Sequence, residues 1–551
     1  MPRSSRVLVI VACASLGVLA PAACSSSKSG GAPPGCEDDV CVGEAGSHAD
    51  GSSSSGAGSS SGTGSGSGSH ADSGAGSGSG AGSSSGAPTD SGSGGSSGGD
   101  APHDAATDGP DGADAVALVP AFYVAPGGDD KNPGTLAQPF LTLGKAQSAM
   151  QASTTIKTTY VRAGTYDLTA SSATSNCDYG MGTTAIDLNA ADAGETWSYY
   201  PPDGFGTAIL DGGSTSATTG VACAFAGNSA PKLTFVGLQM QHFQYSGIWV
   251  SSSPNLVARG NTIHDLTVGI FNIGGIVTHT SSDVTIANNF IHDVAYVGIG
   301  TWGGTMSNTT IENNVVLNSC TAAAQPGGND QDGGDCGAIY LWDNTHLSTN
   351  GIVRNNYVRD VNVSSNGAGD YTGCCATGIY LDDGMSNVTV SGNVVTGVKS
   401  QCFVIHGGNS DTYDGNLCDL GASQYQRIMT YQSDSLNLAM SGNSIVDNVI
   451  VAGSASAGTG YSDGGTPTAP TIKNNAYYNY VGTSVDSSGS NGSDANPTYE
   501  NPGVSCWDPT LAATSPAYAA PVSFPKLAGG WGPPGFVMPK TGSAPSWPHG
   551  C

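Results

Sequence analysis

An asparagine recurs along this chain at Asn261, Asn289, Asn314, Asn356, Asn393, Asn416 and Asn443, each inside an apolar-x-x-Asn-x-apolar segment, at intervals of 28, 25, 42, 37, 23 and 27 residues. A second motif keeps step with it, a short run of Gly-Ile-x-x type. It reads Gly247-Ile248-Trp249-Val250, Gly269-Ile270-Phe271-Asn272, Gly298-Ile299-Gly300-Thr301, Ala338-Ile339-Tyr340-Leu341, Gly378-Ile379-Tyr380-Leu381, Cys402-Phe403-Val404-Ile405 and Arg427-Ile428-Met429-Thr430. Short alternating runs with Gly and Asn at the corners, and no helical period between them, exclude bundles and layered α/β folds. They predict a coil repeated about once per 25 residues, a parallel β-solenoid whose coils stack at about 4.8 Å. Insertions enter before Asn356 and before Asn393. The asparagines are read as a structural ladder, stacked amides bonding one another and the turn backbone.

The rest of the chain divides around this solid. Residues 1–23 carry Arg3 and Arg6, then an apolar run from Val7 to Ala20, the pattern of a secretory signal. Pro21-Ala22-Ala23-Cys24 looks like a bacterial lipobox, which implies lipidation of Cys24 and a membrane anchor at the cell envelope. Residues 24–115 form a linker: in 51–100, Gly and Ser supply 38 of 50 positions, too little apolar matter to bury. The β-helix domain is assigned to 116–485, and an extended tail packing on it to 486–551. The 14 cysteines suit an oxidising compartment, with Cys320/Cys336 and Cys402/Cys418 as expected disulfides. A net charge of -27 argues against nucleic acid as a partner.

The opening of the domain, Phe122-Tyr-Val-Ala-Pro-Gly-Gly-Asp through Phe140, followed by Tyr160-Val-Arg-Ala-Gly-Thr-Tyr166, resembles the start of right-handed parallel β-helix proteins of the pectate-lyase-like superfamily. The resemblance implies an all-β, single-stranded right-handed β-helix, with a capping helix over Thr142 to Ala152 burying Leu143, Ala146 and Met150. It also implies a polysaccharide partner, since the superfamily holds hydrolases, lyases, epimerases and adhesins.

Alternation within each Gly-Ile-x-x run places one outward column at Trp249, Phe271, Gly300, Tyr340, Tyr380, Val404 and Met429, and a second at Ser251, Ile273, Trp302, Trp342, Asp382, His406 and Tyr431. Asp343 and Asp383 follow at the turn. Aromatic rings beside acids form a sugar-binding face with acid–base groups, so the candidate catalytic residues are Asp343, Asp382, Asp383 and His406. Trp302, Trp342, Tyr340, Tyr380 and Arg427 are the candidate substrate contacts. Carboxyls on neighbouring rungs suit a glycosidase. Asp382-Asp383, His406-Gly407 and Arg427-Ile428 are similar to the Asp-Asp, His-Gly and Arg-Ile elements of polygalacturonases, with Met429 where those enzymes carry Lys. Asp330, Asp332 and Asp335 in the first insertion are a candidate Ca²⁺ loop; the hydrolase reading requires no cofactor. The leading expectation is a monomeric, exported glycoside hydrolase. The alternatives are a calcium-dependent polysaccharide lyase and a non-catalytic glycan-binding or adhesive β-helix.

Overall fold

The computed structural model describes residues 118–539 apart from 170–172, 178–181, 217–218, 270–271, 304–305, 322–335, 344, 346–349, 362–375, 399–400, 422–426, 434–439, 454–460, 465–467, 483–484, 486, 490–491, 505–510 and 528. The signal, Cys24, the linker, both insertions and Asp330, Asp332 and Asp335 lie outside these residues.

The chain is a parallel β-helix with three sheets, of 12, 11 and 13 strands among the described residues. One coil shows the plan. Val257–Arg259 lies in the first sheet, Thr262–Leu266 in the second and Gly274–His279 in the third, and each pairs in parallel with its equivalents one coil before and after. Interior positions are apolar rung after rung, as in Ile248, Ile276, Ile299, Ile339, Ile379 and Phe403 of the third sheet. The helix Leu143–Ala152 is capped by Thr142, whose hydroxyl accepts from the Lys145 N–H, and it buries Leu143, Ala146 and Met150 against the core.

The asparagine ladder runs through the corner between the first and second sheets. The Asn261 oxygen accepts from the Leu238 N–H, and from Asn289 through Asn314, Asn356, Asn393 and Asn416 to Asn448 and Asn475 each side-chain oxygen accepts from the backbone and amide of the preceding asparagine, the column ending on Asp494. Asn443, expected in this column, instead bonds the Asp411 N–H one corner earlier. It precedes the strand Ser444–Val446, whereas a ladder asparagine must follow it.

Register corrects two rungs of the third sheet. Ile276 pairs with Ile248 and Ile299, so the second rung is Gly274–His279 and not the run at Gly269. Met429 pairs with Phe403, so Ile428 falls on the opposite parity. Spacing to the ladder carried the signal: 13 residues separate Ile248 from Asn261 and Ile276 from Asn289, against 19 for Ile270.

Disulfides join Cys320 to Cys336 and Cys402 to Cys418, the two pairs expected, and Cys177 to Cys223. Three crosslinks among the described residues indicate an extracytoplasmic protein.

A second apolar cluster lies on the outer face of the second sheet, where Val504, Leu511, Val522 and Phe524 of the tail meet Val315, Tyr357, Val394, Leu417 and Val449. Asp419 shares that face at 1% exposure; one oxygen accepts from the Gly421 N–H at 2.8 Å and the other has no partner. Burial pushes its carboxyl up to about 7, with the Gly421 bond pulling the other way. The folded state therefore holds a proton that the unfolded chain releases near pH ~4. Stability from this group is present below that pH and is lost as pH rises towards about 7. Asp419→Asn is expected to flatten this slope in urea titrations and recover about 1–2 kcal/mol at alkaline pH, the new amide donors offsetting part of the gain. An unchanged slope would place the titration elsewhere.

Candidate active site

The outer face of the third sheet carries two side-chain columns. The first reads Trp249, Val277, Gly300, Tyr340, Tyr380, Val404 and Thr430 in register. The second begins Ser251, His279, Trp302, Trp342 and Asp382, and ends His406 and Gln432. Phe271 and Ile273 therefore give way to Val277 and His279, and Met429 and Tyr431 to Thr430 and Gln432. A one-residue slip inverts every side chain of a strand.

The rings pack on one another along the stack. Centroids lie 5.0 Å apart for Trp249 and His279, 5.5 Å for His279 and Trp302, 5.9 Å for Trp302 and Tyr340, and 4.6 Å for Tyr340 and Tyr380. Trp302, Tyr340 and Tyr380 are buried, and burial pushes the His279 imidazole down to about 3, so that ring is neutral. Trp342 is half-buried and packs on the edge of this cluster.

At the end of the aromatic run the chemistry changes. The Asp382 carboxylate, in a side chain 6% exposed, accepts from the Tyr340 hydroxyl on one oxygen. Its other oxygen accepts from the Asp383 N–H at 2.9 Å and lies 2.6 Å from His406 Nδ1. Asp383 adopts a left-handed φ of 43° before Gly384 at 83°, and the Gly384 N–H donates to the His406 carbonyl across the coils. Asp and Gly are residues that tolerate such a corner. The turn brings the Asp383 carboxylate back towards its neighbours, with Oδ2 accepting from Trp342 Nε1 at 2.6 Å and Oδ1 3.4 Å from His406 Nδ1. One donor atom each from Asp382, Asp383 and His406 thus lies within 4.8 Å of the others.

Asp343 is not part of that trio. Its side chain is buried, and one oxygen accepts from the Thr345 N–H and hydroxyl at 2.9 and 2.6 Å. The backbone of Arg427 pairs with Gln401, at the opposite end of the strands from His406 and Gln432. Sequence reasoning assigned Tyr340 to sugar stacking and so missed it as the donor that holds Asp382. It also missed Gln432 as the neighbour of His406, through the slipped register.

A parallel β-helix bearing an Asp-Asp-His cluster on one outer face is the class that fold and site define. The sequence family described as a right-handed β-helix region matches residues 219–418. No curated protein matches the chain. Among solved structures, the chain is similar to the catalytic domain of an α-1,3-glucanase of family GH87 in complex with nigerose, at 13% identity and TM-score 0.40, over 65% of this chain and 62% of that one. A GH136 lacto-N-biosidase from Eubacterium ramulus matches at 12% identity and TM-score 0.44, over 69% and 68%. A rhamnogalacturonan lyase matches at 15% identity and TM-score 0.39, over 69% and 86%. The chain spans 62% of the glucanase domain's length.

Proposed function

We propose that the protein is an exported carbohydrate-active enzyme that hydrolyses glycosidic bonds of a polysaccharide at Asp382, Asp383 and His406. The observation that carries this reading is the convergence of the three groups at the rim of a rigid sheet. Glycoside hydrolysis needs one group to protonate the leaving oxygen and another to take a proton from water. Asp383 has a side chain 31% exposed and is the member that meets substrate. His406 Nδ1 lies 2.6 Å from Asp382 and 3.4 Å from Asp383, so buried Asp382 fixes the ring beside Asp383; Asp383 protonates the leaving oxygen and the imidazole takes the proton from water. Trp342 offers a sugar an apolar surface beside the acid, and its indole N–H keeps Asp383 in place. Trp302, Tyr340 and Tyr380 form the layer beneath. Lipidation at Cys24 anchors the chain, as a monomer, in the envelope.

A panel of neutral and uronate polysaccharides, incubated with the secreted protein, tests the reading. New reducing ends without ultraviolet-absorbing product are expected on at least one polymer. Unsaturated product that disappears with chelator would replace hydrolysis by calcium-dependent elimination. Binding across the panel without turnover would make the protein an adhesin.

A further inference from the structure

Among the described residues, Asp382, Asp383 and His406 are the only three or more His, Cys, Asp or Glu side chains whose donor atoms converge on one point. Two features outside the trio point to a ligand there. The first is the hold on the outer oxygens. Tyr340 donates to Asp382 Oδ2 and Trp342 Nε1 to Asp383 Oδ2, so neutral donors orient both carboxylates with Oδ1 turned to His406. Such outer-layer bonds are what orient ligating carboxylates in metal sites. The second is Gln432, paired with His406 on the next rung, 2% exposed, whose amide nitrogen has no hydrogen-bond partner. A buried amide without a partner is destabilising until something arrives to bond it.

We propose that Asp382, Asp383 and His406 bind a divalent first-row transition ion, with Gln432 bonding a water or substrate oxygen carried by that ion. The proposal builds on the reading of this cluster as the reactive site. Donor chemistry selects the ion. Calcium and magnesium favour all-oxygen sets, whereas an imidazole with two carboxylates suits zinc or manganese. Three protein ligands with an open position are the arrangement of catalytic rather than structural zinc. An ion here takes the place of the direct contact between His406 Nδ1 and the Asp382 carboxylate.

The test is calorimetric titration of the full-length secreted protein, stripped with chelator, with Zn²⁺ and in parallel with Ca²⁺. One equivalent of Zn²⁺ is expected, with no comparable heat from Ca²⁺. His406→Gln and Asp383→Asn should abolish the Zn²⁺ signal, and Gln432→Leu should weaken it about 10-fold. Melting curves report whether each variant is folded, and asparagine suits the left-handed turn at 383. Absence of Zn²⁺ binding, or binding equal in wild type and both ligand variants, overturns the proposal. Turnover that persists in chelator without bound metal overturns it while leaving hydrolysis standing. Zinc binding lost in the variants, with no turnover on any polymer, supports the metal site and removes the hydrolase reading.

Discussion

Asp383→Asn lowers turnover of the hydrolysed polymer by about 10²- to 10⁴-fold, the range for losing a positioned acid–base group. It does so with the fold intact. Asparagine matches the carboxylate in size, keeps an oxygen for the Trp342 N–H, and accepts the positive φ of this corner as readily as aspartate does. What it cannot do is give and take a proton. The fall should appear in kcat, because Trp342 and the turn, which position the sugar, stay in place. Asp382→Asn is a poorer probe. That carboxylate accepts from Tyr340, from the Asp383 N–H and on the His406 side, and an amide would set a donor against donors in a buried site. Initial rates of reducing-end release, paired with melting curves, check the prediction. A folded Asp383→Asn protein within a few-fold of wild type would move the chemistry away from this cluster.

The fold was legible because the repeat states itself many times, and the errors fall where one rung offers two matches. The segment Asn443-Ser-Ile-Val-Asp-Asn448 holds two asparagines five residues apart, and only the strand between them decides which joins the ladder. Gly269-Ile270 and Gly275-Ile276 compete in the same way. The candidate site was legible as a set of residue types on one face, since alternation fixes parity. Coverage is a different quantity. Nothing in the local pattern of Trp302, Tyr340 or Tyr380 separates a ring open to a sugar from one packed under other chain, and all three are buried. The second sheet shows the visible form of the same problem. Its outer position is Thr262 in an early coil but Val315, Tyr357, Val394 and Leu417 further on, where the tail covers it. Loss of polar alternation on a solenoid face is therefore a readable sign that another segment lies on it. Asp343 stands outside the trio, with one of its oxygens taken by Thr345 two residues on, a local contact that the column pattern does not reveal.

Asn314→Ala is expected to cost about 2–6 kcal/mol, from two buried donors each losing an acceptor at about 1–3 kcal/mol. Those donors are the Asn289 backbone N–H and side-chain amide, both 2.9 Å from the Asn314 oxygen. Asn314 itself donates to the Ile286 carbonyl and to the Asn356 oxygen, so the substitution opens the ladder in both directions. Asn314 is fully buried, away from the bulk solvent that would replace these bonds at a surface. Position along the stack gives the prediction a second signature. In a solenoid each coil is stabilised chiefly by its neighbours. A break at Asn314 therefore uncouples the coils before it from those after it, and equilibrium urea unfolding should broaden or split as well as shift. The ladder's last member differs, since Asn475 bonds Asp494 and has one asparagine neighbour, so Asn475→Ala should shift the transition without splitting it. If Asn314→Ala unfolds within about 1 kcal/mol of wild type in a single sharp step, the amide column is a by-product of the corner geometry and the apolar interior alone holds the coils in register.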